Sequence, residues 1–196
     1  MPSSPPPSPD AATLTPRAAA ALLAGCASRA AAAALHARLL HCSRAFFRSP
    51  YLANCLAAAY SRLGAAPSAV MLLRAASRPN VFTRNILLSA LLGSGLLGDA
   101  RRLFDGMPQR DAVTYNAMLS GYAATALPYE ALRLFSSMRE SGVRPTALTF
   151  SIVSSTVASP RHGQQVHAAA VRHDLAHLDA VVGNALIDMY RRIGLF

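Results

Sequence analysis

Four asparagines recur along this 196-residue chain at nearly regular spacing. They are Asn54, Asn85, Asn116 and Asn184, and the intervals between them are 31, 31 and 68 residues. A side-chain amide offers both a hydrogen-bond donor and an acceptor, so it is suited to recognising a polar edge that carries both. The question is which elements hold these amides in the same phase.

The asparagines lie in four similar stretches, which are YLANCLAAAYSRLG from Tyr51, FTRNILLSALLGSG from Phe82, VTYNAMLSGYAATA from Val113 and VVGNALIDMYRRIG from Val181. Each stretch has an aliphatic or aromatic residue first, Asn fourth, and Leu or Met sixth. The interval of 68 leaves room for one further unit near Leu148 that lacks the asparagine. Internal repeats of about this period are typical of stacked helical hairpins.

Within one unit the apolar residues follow a helical period and not a strand period. This period gives two apolar stripes. The first contains Tyr115, Met118 or Leu119, and Tyr122. The second contains Ala131, Leu134 or Phe135, and Met138. Gly64, Gly95 and Gly194 mark the ends of first helices, and Pro108 and Pro145 mark the ends of second helices. Because a lone hairpin leaves its stripes exposed, neighbours must stack, which predicts an all-α solenoid.

The charge balance indicates a polyanionic partner. There are 19 basic residues, all of them Arg, against nine acidic ones, for a net charge of +10. Nucleic acid or an anionic membrane surface would fit, while coding bias is the alternative reading of the missing Lys. No membrane insertion is expected, because the uncharged run from Asn85 to Gly98 falls short of a span. Cys26, Cys42 and Cys55 form no metal or redox motif.

The first residues, MPSSPPPSPD, are rich in Pro and Ser, and residues 1–13 are expected to be a disordered leader. Residues 17–48 that follow carry five Arg and no acidic residue, which suits an organelle transit peptide. The same segment also reads as a helical hairpin, with LLAGCAS followed by LHARLLH. It matches the unit that begins at Ala147, since His36 and His167 take similar places. Two kinds of unit are therefore expected to alternate.

The motifs VTYNAMLSGYAATALPYEALRLFSSMRESGVRPT, DARRLFDGMPQRD and VVGNALIDMYRRIG resemble those of plant pentatricopeptide repeat (PPR) proteins. The resemblance is to the subgroup with alternating repeat lengths, the PLS type, and runs from about residue 14 to the end. It implies a right-handed α-α superhelix of helix-turn-helix repeats, similar to tetratricopeptide folds. The repeats would span residues 14–49 (long), 50–80 (short), 81–111 (short), 112–146 (standard), 147–179 (long) and 180–196 (incomplete).

The resemblance also implies binding of single-stranded RNA, with one base per repeat read mainly by the fifth and last residues. All five Asn of the chain occupy such positions. The implied pairs are Asn54 with Asn80, Asn85 with Asp111, and Asn116 with Thr146, while Asn184 begins the incomplete repeat. Pyrimidine-rich RNA is the implied ligand. The second residues, Tyr51, Phe82, Val113, Leu148 and Val181, would flank each base, or would pack between hairpins.

Arg62 and Arg192 are weaker candidates for phosphate contacts. No enzyme or cofactor motif occurs, and the HxE and PCxxC strings of the DYW deaminase domain are missing. The chain is therefore expected to be a non-enzyme without that domain, served by editing co-factors or a deaminase supplied in trans. His162, His167, His173 and His177 are not spaced for a metal.

The expected role is organellar RNA binding that supports RNA modification such as C-to-U editing, in mitochondrion or plastid with mitochondrion preferred. Two alternatives stay open. One is a protein-binding scaffold of the tetratricopeptide type, although the chain has no Trp and no W-x₂-L-G pattern. The other is a truncated fragment with little function of its own, because the sequence stops at RRIGLF just after a first helix.

Overall fold

The computed structural model describes residues 15–42, 50–74, 80–173 and 179–195. Across these ranges the chain forms eleven α-helices and no β-strand. The helices are α1 (Pro16–Gly25), α2 (Arg29–Cys42), α3 (Pro50–Arg62), α4 (Ala66–Arg74), α5 (Val81–Gly93), α6 (Leu97–Asp105), α7 (Ala112–Ala124), α8 (Pro128–Glu140), α9 (Ala147–Thr156), α10 (Pro160–Arg172) and α11 (Ala180–Arg192). The predicted leader over residues 1–13 lies outside the described part of the chain.

The chain divides into two compact units, residues 1–94 with α1 to α5 and residues 95–196 with α6 to α11. Odd-numbered helices are called first helices and even-numbered ones second helices. In the amino-terminal unit, α1, α3 and α5 contact one another in succession, and α2 and α4 contact the first helix that follows. In the carboxy-terminal unit, α7, α9 and α11 form the same succession beside α6, α8 and α10. The all-α architecture of stacked hairpins is thus confirmed.

The two cores differ in composition. The core of the amino-terminal unit combines alanines with Leu23, Leu56 and Leu73. The carboxy-terminal unit buries larger side chains, among them Tyr115, Phe150 and Met189. Both predicted stripes of the standard repeat are fully buried, which confirms the helical period: Tyr115, Met118, Leu119, Tyr122, Ala131, Leu134, Phe135 and Met138. Burial of each Leu, Phe or Met side chain in this set contributes roughly 1.5–3 kcal/mol of transfer free energy.

Positive φ angles place the turns between first and second helices. Gly64, Gly95 and Gly194 have φ of 70°, 73° and 75°, a left-handed conformation that glycine adopts without a Cβ penalty. Ala126 occupies the same place after α7 with φ of 53°. This turn geometry is therefore retained where its usual residue is missing.

Two of the first helices are shorter than the others. Helices α1 and α9 have 10 residues and end at the extended residues Cys26 and Val157, whereas α3, α5, α7 and α11 have 13 residues. The second helix after each short one bonds the next first helix through a histidine. His36 Nδ1 lies 3.1 Å from Tyr60 Oη, and His167 Nδ1 lies 2.9 Å from Tyr190 Oη. The expected equivalence of these two histidines is confirmed.

None of the helices described above combines the length and the apolar character that a membrane crossing requires.

Candidate functional site

The four repeated asparagines occupy the fifth position of a 13-residue first helix in α3, α5, α7 and α11. Asn54, Asn85 and Asn116 are buried, with 4%, 7% and 7% exposure, whereas Asn184 on the last helix is exposed. A local cap, the alternative role for an asparagine near a helix start, does not describe these residues, because each lies at the fifth position inside its helix.

The caps are supplied by the residues predicted to end the repeats. Asn80, Asp111, Thr146 and Asp179 are the N-caps of α5, α7, α9 and α11, and each side-chain oxygen accepts a hydrogen bond from a backbone N–H of the first turn. Such caps are each worth about 1 kcal/mol. A last residue therefore has a structural role as well as the one implied by the resemblance.

Asn116 and Thr146, which form an implied pair, are in direct contact. Nδ2 of Asn116 donates to Oγ1 of Thr146 over 3.3 Å. Oδ1 of the same amide accepts a 2.7 Å hydrogen bond from Oγ1 of Thr149, which is fully buried. The short distance is typical of an O–H donor, whereas N–H donors lie nearer 2.9 Å. The amide therefore points its oxygen inward at Thr149 and its nitrogen towards the exposed Thr146.

The corresponding residues of the amino-terminal unit are bonded differently. Oδ1 of Asn80 accepts from both the backbone N–H and the hydroxyl of Thr83, at 2.8 and 2.9 Å. Oδ1 of Asn54 is buried and has no hydrogen-bond partner. In the carboxy-terminal unit the hydroxyl of Thr149 donates to Asn116, whereas in the amino-terminal unit the hydroxyl of Thr83 donates to the cap Asn80.

The threonines at the third helical position are functional candidates that the sequence analysis missed. Thr83, Thr114 and Thr149 each bond the cap three residues earlier, and Thr114 and Thr149 complete reciprocal capping boxes. The signal was available as a capping residue followed by Thr at the third place, in NVFT, DAVT and TALT. The motif is absent from α11, where Val182 takes the threonine position and Asp179 binds backbone N–H groups alone.

The second residues of the first helices are exposed and not packed between hairpins. Tyr51, Phe82, Val113, Leu148 and Val181 are between 54% and 63% exposed. Most other large apolar side chains on these helices are buried, so exposure of a large apolar residue recurs at the second helical position in particular. Each of these residues lies one turn before the fifth position or its equivalent, on the solvent side of the helix start.

Several arginines donate to backbone carbonyls at helix ends. Arg62 donates to the Leu23 carbonyl over 3.0 Å, and Arg192 donates to that of Ser154. Arg29 and Arg110 bond the carbonyls that follow α3 and end α6. Cations at helix carboxyl ends satisfy free carbonyls and complement the helix dipole. In this structure the two arginines considered for phosphate contacts connect neighbouring first helices.

Three carboxylates of second helices α6 and α8 are paired with arginine. Asp99, Asp105 and Glu130 form ion pairs with Arg102, Arg101 and Arg133 on α6 and α8. The hydrogen bonds that Arg101 donates to Asp105 and then to Tyr122 raise the pKa of Arg101 above its already high ordinary value. These pairs neutralise second-helix charge, while the starts of the first helices carry Asp111 and Asp179 as caps.

The histidines have other partners. Nδ1 of His162 lies 2.9 Å from Oγ of Ser159, and His167 bonds Tyr190. Among the described residues no three His, Cys, Asp or Glu side chains converge on a common point. His177 lies outside those ranges.

Stacked helical hairpins, capped in phase and bearing a polar pair at successive helix starts, define the chain as a helical-repeat protein. Residues 82–111 match a PPR repeat, and residues 110–158 match the PPR repeat family. Residues 82–158 are therefore similar to pentatricopeptide repeats, and the similar proteins include plant members of that family.

Two relatives and one solved structure illustrate the similarity. A chloroplastic pentatricopeptide repeat-containing protein of Arabidopsis thaliana is 45% identical over 120 residues, which is 59% of this chain and 15% of that protein. A mitochondrial one from the same plant is 44% identical over 59 residues, which is 30% of this chain and 9% of that protein. The chain thus spans a small part of their lengths.

The crystal structure of the pentatricopeptide repeat protein PPR10 from maize superimposes with a TM-score of 0.58. The match covers 91% of this chain and 27% of that chain at 24% sequence identity. At this identity the likeness concerns the fold.

Proposed function

We propose that this chain binds single-stranded RNA along the starts of its first helices, with one base placed at each repeat. The observation that carries the proposal is a recurring arrangement at the helix starts. An exposed apolar second residue and a polar fifth residue recur one turn apart in α3, α5 and α7, and a polar cap begins α5, α7 and α9. Unstacked RNA bases need both an apolar face to stack on and polar groups for their edges.

The exposed side chains supply the first requirement. Tyr51 and Phe82 present aromatic rings, and Val113 presents an aliphatic surface of smaller area. Stacking on an aromatic side chain contributes roughly 1–3 kcal/mol per base. The implied readers Asn54, Asn80, Asn85, Asp111, Asn116, Thr146 and Asn184 supply the second requirement.

The charge of the chain favours the same ligand. A net charge of +10 attracts a polyanion, and three of the nine acidic side chains are already paired on second helices. We propose that Arg62 and Arg192 add to the positive electrostatic potential that attracts RNA and are not direct phosphate ligands, because each already donates to a backbone carbonyl.

The finer part of the proposal follows the relatives. Their names place them in chloroplast or mitochondrion, and we assign this chain to one of these organelles. The two short first helices and their histidine contacts favour the subgroup with alternating repeat lengths. We infer pyrimidine-rich RNA as the ligand, and recognition of C-to-U editing sites as the role, with catalysis supplied by another protein.

Fluorescence anisotropy with labelled RNA tests the proposal. Oligonucleotides of U, C and A are titrated with the purified chain at two salt concentrations. We expect tighter binding of U and C than of A, and a loss of about tenfold for Tyr51→Ala. Tyr129→Ala is the matched control, because Tyr129 is a 72% exposed tyrosine on second helix α8. Equal affinity for all three RNAs would contradict base reading, and no binding at low salt would contradict the function itself.

A further inference from the structure

We infer that Thr149 is a specificity-determining residue, because its hydroxyl fixes which end of the Asn116 amide faces an RNA base. The inference rests on the proposed function and goes beyond it by assigning a role to a residue at the third position of the following repeat. The relevant contact is the 2.7 Å hydrogen bond from Thr149 Oγ1 to Asn116 Oδ1.

The amide oxygen of Asn116 can only accept, and this sets the direction of the hydrogen bonds around it. Oγ1 of Thr149 accepts from the backbone N–H of Thr146 at 2.9 Å and gives its own hydrogen to Asn116. The hydroxyls of Thr146 and Thr149 also lie 3.1 Å apart, and since Thr149 gives its one hydrogen to Asn116, Thr146 is the donor in that contact. Oγ1 of Thr146 accepts from the backbone N–H of Thr149 and from Nδ2 of Asn116, both at 3.3 Å. The amide nitrogen carries two hydrogens, so one remains after the bond to Thr146.

The environment gives this remaining hydrogen a direction. Thr149 is fully buried and Thr146 is exposed, so the oxygen end of the amide faces the core and the nitrogen end faces solvent. Asn116 therefore presents a donor. Among pyrimidines, uracil offers a carbonyl acceptor at the position where cytosine offers an amino donor. A fixed Asn116 amide should favour uracil over cytosine.

Asn54 provides the contrast within the same chain. Its Oδ1 is buried without a partner, because the hydroxyl of Thr83 is given to the cap Asn80. The terminal torsion of an asparagine is broad and roughly two-fold, so a side chain without such a bond can turn either end outward. The repeat that contains Asn54 should therefore accept uracil and cytosine more equally than the repeat that contains Asn116.

The test is a position scan of a short uridine oligonucleotide in which each base in turn is replaced by cytidine. The ratio of the two dissociation constants is measured at every position for the wild-type chain and its variants. Thr149→Val removes the hydroxyl at nearly constant shape, and we expect the preference for uracil to fall about fivefold at one position. Thr149→Ser should retain that preference.

Two matched variants separate this role from stability. Thr83→Val alters a buried threonine at the same helical position. The ratio of dissociation constants for uracil and cytosine at the repeat that contains Asn54 should not change. Thr156→Val removes a hydroxyl that bonds the Val153 carbonyl at the far end of α9, and it should change no position. The absolute dissociation constants report how much of each variant is folded, whereas the ratios do not depend on it, because loss of active protein scales both constants together.

The outcomes are distinguishable. RNA binding with identical ratios for Thr149→Val and wild type overturns the role of Thr149 and leaves the proposed function standing. An equal change for Thr83→Val at the repeat that contains Asn54 also overturns it, because the cap-directed hydroxyl would then act in the same way. Absence of RNA binding by the wild-type chain overturns the proposed function first, and the inference with it.

Discussion

Asn116 and Thr146 are 30 residues apart in sequence, yet Nδ2 of one donates to Oγ1 of the other over 3.3 Å. The contact joins the fifth residue of α7 to the cap of α9, so the two ends of one repeat are bonded at the start of the next first helix. The pair is held in place by two elements at once. A change at either residue therefore affects folding as well as any ligand.

The first prediction concerns the buried asparagine. Asn116→Ala should lower the free energy of unfolding by about 1–2 kcal/mol, because the hydroxyl of buried Thr149 loses its acceptor. Asn184→Ala is the matched control, since Asn184 is exposed, and its effect should stay within about 0.5 kcal/mol. Urea denaturation followed by circular dichroism measures both. Equal losses in the two variants would show that burial of Asn116 carries no extra stability.

The second prediction concerns the turn after α7. Ala126→Gly should raise the free energy of unfolding by about 0.5–1 kcal/mol, because φ of 53° costs alanine more than the added chain entropy costs glycine. Gly95→Ala is the reverse change at a similar turn, with no atom within 4 Å of the new Cβ, and should be destabilising. Thermal unfolding of both variants gives the comparison. A lower melting temperature for Ala126→Gly would argue against strain at this turn.

The third prediction concerns pH. Burial lowers the pKa of His36 below its ordinary value of 6.5, so the unfolded chain takes up a proton more readily than the native one. The free energy of unfolding should therefore fall as the pH drops from about 6.5 to the lower native pKa of His36. At alkaline pH, where His36 is neutral in both states, this loss of stability should be absent. His36→Gln should show a shallower fall than wild type in urea unfolding at mildly acidic pH. Parallel curves for the two proteins would refute the assignment.

The fourth prediction concerns the arginine between α3 and α1. Arg62→Ala should cost about 1–2 kcal/mol of unfolding free energy, because the Leu23 carbonyl loses a charged donor at 3.0 Å. Arg133→Ala removes a 79% exposed arginine from an ion pair within α8 and should change stability by less than about 0.5 kcal/mol. Chemical denaturation of both variants is the measurement. If the two losses are the same size, the contact between first helices is not stabilising.

Prediction from sequence succeeded for features that are local. The stripe of Tyr115, Met118 and Tyr122 identified a buried helix face because side chains three or four residues apart share one side of a helix. The phase of the asparagines predicted repeated first helices because every hairpin is a copy of the same local pattern. The glycines at 64, 95 and 194 marked turns because their conformation depends on the residue itself.

Other features were missed because they depend on residues from two repeats. Nothing in the spacing of Asn54 and Asn116 distinguishes them, yet one oxygen is unpartnered and the other is held by Thr149. The difference follows from the cap, which is Asn80 in one case and Thr146 in the other. Oδ1 of Asn80 can only accept and takes the hydroxyl hydrogen of Thr83, whereas Thr146 has a hydroxyl hydrogen of its own and Thr149 donates to Asn116.

The sequence by itself determined the helical hairpins, their order along the chain and the phase of the polar and apolar positions, because helix periodicity and repeat length are written in neighbouring residues. The tertiary structure alone decided that Asn54, Asn85 and Asn116 are buried while Asn184 is exposed, and that arginines such as Arg62 bind carbonyls of a neighbouring helix. These features depend on helix stacking, because stacking brings together side chains about 30 residues apart in sequence and determines which hydrogen bonds they can make.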